Sequence, residues 1–286
     1  MKEKYIIMKI LVVIILFVIA FFLFSIWQNN SIVISNYNYE SSEIPSKFND
    51  FNIVQISDLH NKNFGEEQSK LLEKVKSLSP DIIVVTGDLI DRRKYNLDVA
   101  MSFINKAVEI APIYYVSGNH EAWSGKYSEI KERLIEAGVN IIDDANVEIK
   151  RGDERIQLLG LSDPAFLTSN YIDGTDTSSI ERNLSNWSEI EGFKILLSHR
   201  PELFDLYSRN NINLVFSGHA HGGQIRIPFI GGLIAPNQGF FPKYTSESYN
   251  SDKTTMFVSR GLGNSLFPLR VFNRPEIISV TLKVSK

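Results

Sequence analysis

The chain contains no cysteine in its 286 residues. This absence excludes disulfide bonds, thiolate metal sites, a cysteine nucleophile and lipid attachment to cysteine. Any bound metal ion would therefore be held by imidazole, carboxylate and amide oxygen. Such ligands suit manganese, iron, zinc and similar ions.

Strong charge of one sign is also missing. The 30 Lys and Arg residues nearly balance the 33 Asp and Glu residues, which gives a net charge of -3 and a pI near 6.0. The basic residues are scattered along the chain, so the sequence lacks the electrostatic pattern of a nucleic-acid-binding protein. We therefore expect no stable binding of nucleic acid.

Three widespread enzyme motifs are absent from the sequence. The chain has no Gly-x-x-x-x-Gly-Lys phosphate loop and no Gly-x-Ser-x-Gly nucleophile elbow. Gly261 and Gly263 are not followed by the third glycine of a dinucleotide-binding fingerprint. The sequence therefore argues against nucleotide-binding loops of these types and against a serine hydrolase of that class.

One long apolar run lies near the N-terminus. Residues 10–27 are apolar except for Ser25, and as a helix they would span about 27 Å, close to the thickness of a bilayer core. Lys2, Lys4 and Lys9 precede the run, and no Lys or Arg follows it before residue 47. This bias predicts one transmembrane helix in the cell membrane, with a cytoplasmic N-terminus and an extracytoplasmic domain.

A cleaved signal peptide and a buried core helix are the alternatives to a membrane anchor. The run is long for a signal peptide, and residues 24–27 offer no small-x-small cleavage site. A core helix would have a polar face, which this run lacks. The sequence therefore favours a cytoplasmic tail and uncleaved anchor at residues 1–28.

The rest of the chain is predicted to form a spacer and one domain. Residues 29–50 are rich in Asn, Ser, Tyr and Glu and predict a spacer with one short strand at 31–34. The domain covers residues 51–286, and its first half alternates strands with helices, which favours parallel pairing and an α/β fold. The predicted strands are 51–56, 81–85 and 113–116, and the predicted helices are 66–78, 97–110 and 127–137.

The second half of the domain predicts additional strands. Residues 147–149 and 156–159 flank a polar turn and indicate a hairpin, which adds antiparallel pairing. The hydrophobic fraction of 43% is sufficient for a sizeable core. Further strands are predicted at 193–197, 212–216, 255–258 and 277–284.

Polar residues follow the predicted strands, and all five histidines of the chain are among them. Because strand ends of one sheet converge in space, we expect these residues to meet at a single site. Carboxylates can bridge two cations, imidazole is a neutral ligand, and an Asn carbonyl adds a ligand without further charge. The set predicts a dinuclear metal centre and comprises Asp58, His60, Asp88, Asn119, His120, His199, His219 and His221.

The order Asp-x-His, Gly-Asp, Gly-Asn-His, His and Gly-His-x-His resembles the motifs of the calcineurin-like metallophosphoesterase superfamily. The sequence at 57–60, 117–121, 218–224 and 235–239 is also similar to the bacterial membrane-associated branch of that superfamily. The resemblance runs from about residue 51 to the C-terminus. It implies a four-layer α/β/β/α sandwich with two mixed sheets, preceded here by one N-terminal transmembrane helix.

The resemblance also implies how the set divides between two divalent or trivalent metal ions, with Mn, Fe or Zn as the candidates. A hydroxide derived from water would attack phosphorus between the ions, and His120 would be the general acid. Asp91 is a candidate to orient a ligand. One ion would be held by Asp58, His60, Asp88 and His221, and the other by Asp88, Asn119, His199 and His219.

Two functions from different classes fit this pattern. The first is hydrolysis of phosphate mono- or diesters, and the second is a membrane-tethered metal-binding module without turnover. A binding module would need no proton donor beside its metal ions, so His120 favours the enzyme.

Two loops near the expected site are unusually apolar. They comprise residues 227–234 with 240–241, and residues 266–272, and both are interrupted by Gly or Pro. They would either contact a lipid-linked substrate and the bilayer surface, or pack under the sheet as core. The first interpretation requires that Phe229, Phe240 and Phe267 be exposed or line a groove.

Overall fold

The structure is a computed structural model that describes residues 2–168, 175–264 and 267–285. Within these residues the helices are α1 (Lys2–Asn30), α2 (Ser69–Ser77), α3 (Leu97–Ala107), α4 (Asn119–Ser124), α5 (Tyr127–Glu136), α6 (Ser178–Ser188) and α7 (Phe204–Ser208). The strands are β1 (Val33–Ser41), β2 (Asn52–Ile56), β3 (Ile82–Thr86), β4 (Ile113–Val116), β5 (Asn140–Ile141), β6 (Ala145–Arg151), β7 (Glu154–Gly160), β8 (Lys194–Leu197), β9 (Leu214–Ser217), β10 (Arg226–Ile227), β11 (Gly231–Gly232), β12 (Ile234–Ala235), β13 (Gly239–Phe240), β14 (Glu247–Ser251), β15 (Thr254–Val258) and β16 (Glu276–Val284).

Two six-stranded sheets form the centre of the domain. The first has the order β1-β16-β2-β3-β4-β5, and the second has the order β14-β15-β9-β8-β7-β6. Strands β2 to β5 run parallel, as the strand-helix-strand order predicts, whereas β16 pairs antiparallel with β2. In the second sheet, β7, β8, β9 and β15 are parallel, and the predicted hairpin of β6 and β7 is antiparallel. Both sheets are therefore mixed.

Alternation along the strands places the two sheets face to face, with helices outside. Ile195 and Leu197 of β8 lie in the core between the sheets, whereas Leu196 belongs to the outer core that α6 and α7 cover. In the other sheet Val84 faces the central core, and Ile83 faces the core that α2, α3 and α5 cover. The predicted four-layer α/β/β/α sandwich is confirmed.

Helix α1 is long and apolar enough to cross a membrane. Its candidate span is Lys4–Asn30, and the most apolar window has a mean hydropathy of 3.3 with none of its residues buried in the protein. The helix includes the whole apolar run at 10–27, so its position agrees with the predicted anchor.

The predicted spacer needs a correction. Residues 33–41 form β1, which pairs parallel with β16 from Val33 opposite Glu276 to Ser41 opposite Val284. Tyr37 and Tyr39 are half-buried against the central core and alternate with exposed Asn residues. The segment is therefore an integral strand of the first sheet, and its polar composition reflects its second, exposed face.

The last turns of α1 dock on the domain through polar contacts. Gln28 and Asn29 are buried, and the main-chain N–H of Asn273 donates to Gln28 Oε1 over 3.2 Å. Asn264 Nδ2 donates to Asn29 Oδ1 over 2.9 Å, and the Lys62 ammonium donates to the Asn29 carbonyl at the helix end. These contacts fix the orientation of the domain relative to the apolar helix.

Candidate metal centre

The polar residues predicted from the sequence lie at one edge of the two sheets. Strands β2, β3 and β4 are parallel, so their carboxyl ends lie side by side, and Asp58, Asp88 and Asn119 follow them. In the second sheet the parallel strands β8 and β9 lead directly to His199 and His219. The side chains of these five residues are all buried.

A first group of possible metal ligands surrounds one point. It contains Asp58, His60, Asp88 and His221, whose ligand atoms all lie within 4.8 Å of one another. His221 Nε2 is 3.3 Å from Asp58 Oδ1 and 3.1 Å from His60 Nε2. His60 Nε2 is in turn 3.5 Å from Asp88 Oδ2.

A second group of possible ligands shares one residue with the first. Asp88, His199 and His219 also have ligand atoms within 4.8 Å of one another. His199 Nε2 is 3.3 Å from Asp88 Oδ2, 3.2 Å from His219 Nδ1 and 3.1 Å from Asn119 Oδ1. Asp88 thus has an oxygen facing both groups, the position expected of a bridging ligand.

The donor set of both groups fits metal cations. His199 Nδ1 lies 2.7 Å from the Thr86 carbonyl oxygen and donates its proton there, which directs Nε2 toward the other ligands. The atoms that face each other are carboxylate, amide and imidazole acceptors. Such buried acceptors are costly together unless a positive charge lies among them. We conclude that the residues present suit two cations.

The protonation states at the site have identifiable causes. Burial raises the pKa of Asp88, but His199, His120 and His60 together outweigh that effect and hold the pKa well below its usual range. Burial and the nearby Arg200 lower the pKa of His219, and burial lowers the pKa of His221 to about 3. The ionised Asp88 and the neutral His219 and His221 are therefore in the forms that bind metal ions. For His199, the effect of burial is outweighed by the nearby carboxylates, chiefly Asp88, which raise its pKa to about 10, so a bound cation would replace the Nε2 proton of that ring.

Several of these residues adopt an unusual backbone conformation. The φ angle is positive at each of Asp58 (53°), His60 (46°), Asp88 (55°), His219 (64°) and His221 (46°). Such conformations cost of order 1–3 kcal/mol each for residues other than glycine, and they cluster at functional sites. Positive φ also occurs at non-glycine residues away from the site, such as Asp50 and Ser79, so the backbone strain accompanies the candidate ligands without identifying them by itself.

Two glycines allow the loops to approach the carboxylates closely. A Cβ atom on Gly118 would lie 2.3 Å from Asp88 Oδ1, and one on Gly218 would lie 2.5 Å from Asp58 Oδ2. Both distances are far shorter than a van der Waals contact. Any larger residue at either position would displace a carboxylate of the site.

His120 lies beside the two groups but belongs to neither of them. Its ring centroid is 4.4 Å from that of His60, and its side chain lines the adjacent cleft. The main-chain N–H of Arg92 donates to His120 Nδ1 over 3.2 Å, so Nε2 carries the proton of the neutral ring. Asp91 Oδ1 is 3.5 Å from Nδ1, so Asp91 is placed beside His120 rather than beside a possible metal ligand.

Sequence reasoning missed Glu121, a fully buried carboxylate that holds the loop of Asp88. It accepts hydrogen bonds from the main-chain N–H groups of Asp88 and Gly118, both over 2.8 Å. Burial, followed by the charge of Asp88, raises the pKa of Glu121 to about 7. In the sequence, only the position of Glu121 directly after His120 indicated that it lies near the site.

A buried ion pair that supports His219 was also missed. Arg200 is held by Asp163 through bonds of 2.6 and 2.8 Å, and its Nη1 lies 3.0 Å from His219 Nε2. Asn237 Oδ1 accepts from the same Nη1 over 2.8 Å and from His219 Nε2 over 3.0 Å, which leaves Nδ1 of the neutral ring without a proton and able to bind a cation. These contacts orient the ring of His219 so that Nδ1 points toward His199. Arg200 follows His199 directly, but its charge gave no indication of this role.

An open cleft of about 580 Å³ leads to the site. One wall is polar and includes Asp88, Asn119, His120 and His219. Other lining residues are apolar and include Ile225, Ile234 and Phe267. The cleft therefore combines a metal-binding floor with an apolar side.

Comparison with known proteins agrees with this geometry. The chain is 32% identical over 290 residues to the uncharacterized metallophosphoesterase Cj0846 of Campylobacter jejuni, which covers 100% of this chain and 73% of that protein. It is 26% identical over 239 residues to Phosphodiesterase YaeI of Escherichia coli, and this match covers 81% of this chain and 82% of that protein. The crystal structure of TT1561 of Thermus thermophilus has a similar fold, with a TM-score of 0.50, 15% identity and coverage of 74% of this chain and 90% of that one.

Residues 51–223 match the family described as Calcineurin-like phosphoesterase. This match covers the five strand ends that carry the candidate ligands. Together with the Campylobacter relative, it establishes that the chain belongs to the calcineurin-like metallophosphoesterase family.

Proposed function

We propose that the chain hydrolyses phosphate mono- or diesters at a dinuclear metal centre. Membership of the family already indicates a metal-dependent phosphoesterase. The observation that carries the dinuclear proposal is the position of Asp88, which faces two separate groups of ligand atoms. When bound, two cations supply an activated water and neutralise charge that builds on the phosphoryl oxygens.

The residues of the chain have distinct roles in this proposal. Asp88 is shared, and His120 donates a proton from Nε2 to the leaving oxygen of the substrate. Because His120 is not needed as a ligand, its place in the cleft supports the enzyme over a metal-binding module without turnover. The proposed ligands are Asp58, His60, Asp88 and His221 for one ion and Asp88, Asn119, His199 and His219 for the other.

We further propose that the substrate has a lipid-linked portion. The exposed fraction is 108% for Phe229, 73% for Phe240 and 42% for Phe267, which meets the requirement set for these loops. Leu266, of the same apolar stretch, lies outside the described residues. Phe272 packs edge-on against Phe24 of α1, with ring centroids 5.5 Å apart, so the apolar loop that contains Phe267 and Phe272 adjoins α1. Acyl chains would contact these loops while the phosphate enters the cleft.

Replacing Phe229, Phe240 and Phe267 with Ser tests this substrate class. We expect the triple variant of the full chain to release phosphate from vesicles of a bacterial lipid extract at least tenfold more slowly. Full burial of one Phe side chain is worth about 1.5–3 kcal/mol, so losing even one such contact exceeds the roughly 1.4 kcal/mol of a tenfold change. Metal-dependent hydrolysis of a soluble nitrophenyl phosphodiester should change little. The matched control is Ile135→Ser, an exposed apolar residue of α5. Equal losses on both substrates would make the loops structural, and no hydrolysis by the wild type would refute the enzyme itself.

The proposed topology rests on the charges at the N-terminal end of α1. Because Lys4 and Lys9 lie on the N-terminal side, we propose that the catalytic domain is extracytoplasmic. Protease added to intact spheroplasts that express the full chain should remove the domain. Survival of the domain until the spheroplasts are lysed would reverse this orientation.

A further inference from the structure

A second cleft, of about 440 Å³, lies where α1 meets the domain. We call it the collar cleft, and it shares no lining residue with the cleft at the metal centre. It is lined by Ile26, Trp27, Asn30, Ser31, Ile32, Lys70, Lys74 and Arg274. Its position at the end of the apolar helix places it at the level where a membrane-spanning helix leaves the bilayer.

Three cationic side chains surround the collar cleft. Lys70 and Lys74 are four residues apart on α2, so they project from the same face of that helix. In the described part of the chain, no carboxylate lies within 4.0 Å of either ammonium or of Arg274. Like charges at this spacing repel one another. A bound anion would remove this repulsion.

Arg274 is held in place with one edge left for a ligand. Its Nε and Nη2 donate to the carbonyl and hydroxyl oxygens of Ser31 over 3.0 and 2.6 Å. Its guanidinium lies 4.9 Å from the ring centroid of Trp27. Among the described residues, Nη1 has no acceptor, and a fixed guanidinium of this kind suits a phosphate oxygen.

The remaining wall of the collar cleft is apolar. Ile26 and Trp27 are both about half exposed on the last turns of α1, and Ile32 follows them. Aromatic residues at helix ends commonly lie at the level of lipid headgroups. A ligand that fits both walls has an anionic phosphate beside the cations and hydrocarbon beside Ile26.

We infer that the collar cleft binds the headgroup of an anionic membrane phospholipid. A lipid is favoured over a free phosphate because the apolar wall is continuous with the membrane helix. The bound lipid would hold the domain at a fixed height over the bilayer. This inference is independent of the catalytic proposal, since the two clefts are separate.

Lipid binding can be measured directly on the full chain in detergent by native mass spectrometry. We expect one phosphatidylglycerol to bind saturably, with phosphatidylcholine much weaker. The double substitution Lys70→Gln with Lys74→Gln should weaken phosphatidylglycerol binding about 30-fold, which is about fivefold for each basic residue removed near an anionic headgroup. Both side chains are at the surface, so the double variant should fold.

Two controls separate the collar cleft from general surface charge. Lys76→Gln removes the same charge from the same helix, but about 200° around its axis from Lys74, and should leave binding unchanged. Replacing Lys70 and Lys74 with Arg should preserve phosphatidylglycerol binding, because the positive charges remain. An equal loss in Lys76→Gln, or equal binding of phosphatidylcholine, would overturn the inference. Glycerol phosphate binding as tightly as phosphatidylglycerol would also overturn it, because the apolar wall would then contribute nothing.

Discussion

Replacing Asp88 with Asn is expected to lower turnover about 10³-fold and to reduce the content of both metal ions. Asp88 faces both ligand groups, so a neutral amide at this position weakens both sites at once. Loss of several kcal/mol of charge stabilisation in a two-metal reaction corresponds to a factor of about this size. Asn retains an oxygen that can accept the main-chain N–H of His120, which Asp88 Oδ1 accepts over 2.8 Å.

The matched control for this substitution is Asp91→Asn, three residues further along the same loop. Asp91 contacts His120 and Arg93 but belongs to neither ligand group. Elemental analysis should therefore find two metal equivalents in the control and fewer in Asp88→Asn. Two equivalents retained in Asp88→Asn would mean that this carboxylate is not the bridge.

Replacing His120 with Ala is expected to lower turnover by roughly 10²- to 10⁴-fold on substrates with poor leaving groups, the usual contribution of a general acid. Nitrophenolate leaves without much protonation, so the loss on a nitrophenyl ester should be much smaller. Metal content should stay at the wild-type value, because His120 is in neither ligand group. The measurement is kcat on both substrates in the same preparation. A loss of equal size on both would remove His120 from the role of proton donor.

The sheets and the strand ends could be predicted because their signals are local. Val84 and Val85 belong to a short buried run followed directly by Gly87 and Asp88, and the structure ends β3 at that point. Polar residues after a buried strand of a parallel sheet converge whatever the details of the loops. For this reason the candidate ligands could be assigned to one site before any distance was known, whereas their division between two ions was implied by the family resemblance.

The features that escaped prediction depend on distant partners. Strand β1 pairs with β16, more than 240 residues away, and its outward Asn side chains conceal the inward Tyr37 and Tyr39. Helices α6 and α7 each bury only two or three residues beneath the second sheet, too few for a clear pattern. Arg200 becomes a support for His219 only because the fold brings Asp163 and Asn237 to it.

One residue, Asn273, connects helix α1 to the candidate metal centre. The main-chain N–H of Asn273 donates to Gln28 Oε1 of α1, and Asn273 Nδ2 donates to the carbonyl oxygens of His221 and Gln224 over 2.7 and 2.9 Å. Asn273 therefore contacts both the last turns of α1 and the loop that carries His221. Soluble forms for biochemical work should accordingly retain the last turns of α1.

The most direct test of a dinuclear centre that shares Asp88 is electron paramagnetic resonance of the full chain titrated with Mn²⁺. Two-metal sites of this kind hold their ions about 3.5–4 Å apart, close enough for magnetic coupling. We predict that the spectrum at two equivalents per chain is that of an exchange-coupled manganese pair, and that the coupling is lost in Asp88→Asn. A single uncoupled manganese signal at saturation in the wild-type chain would contradict the dinuclear centre.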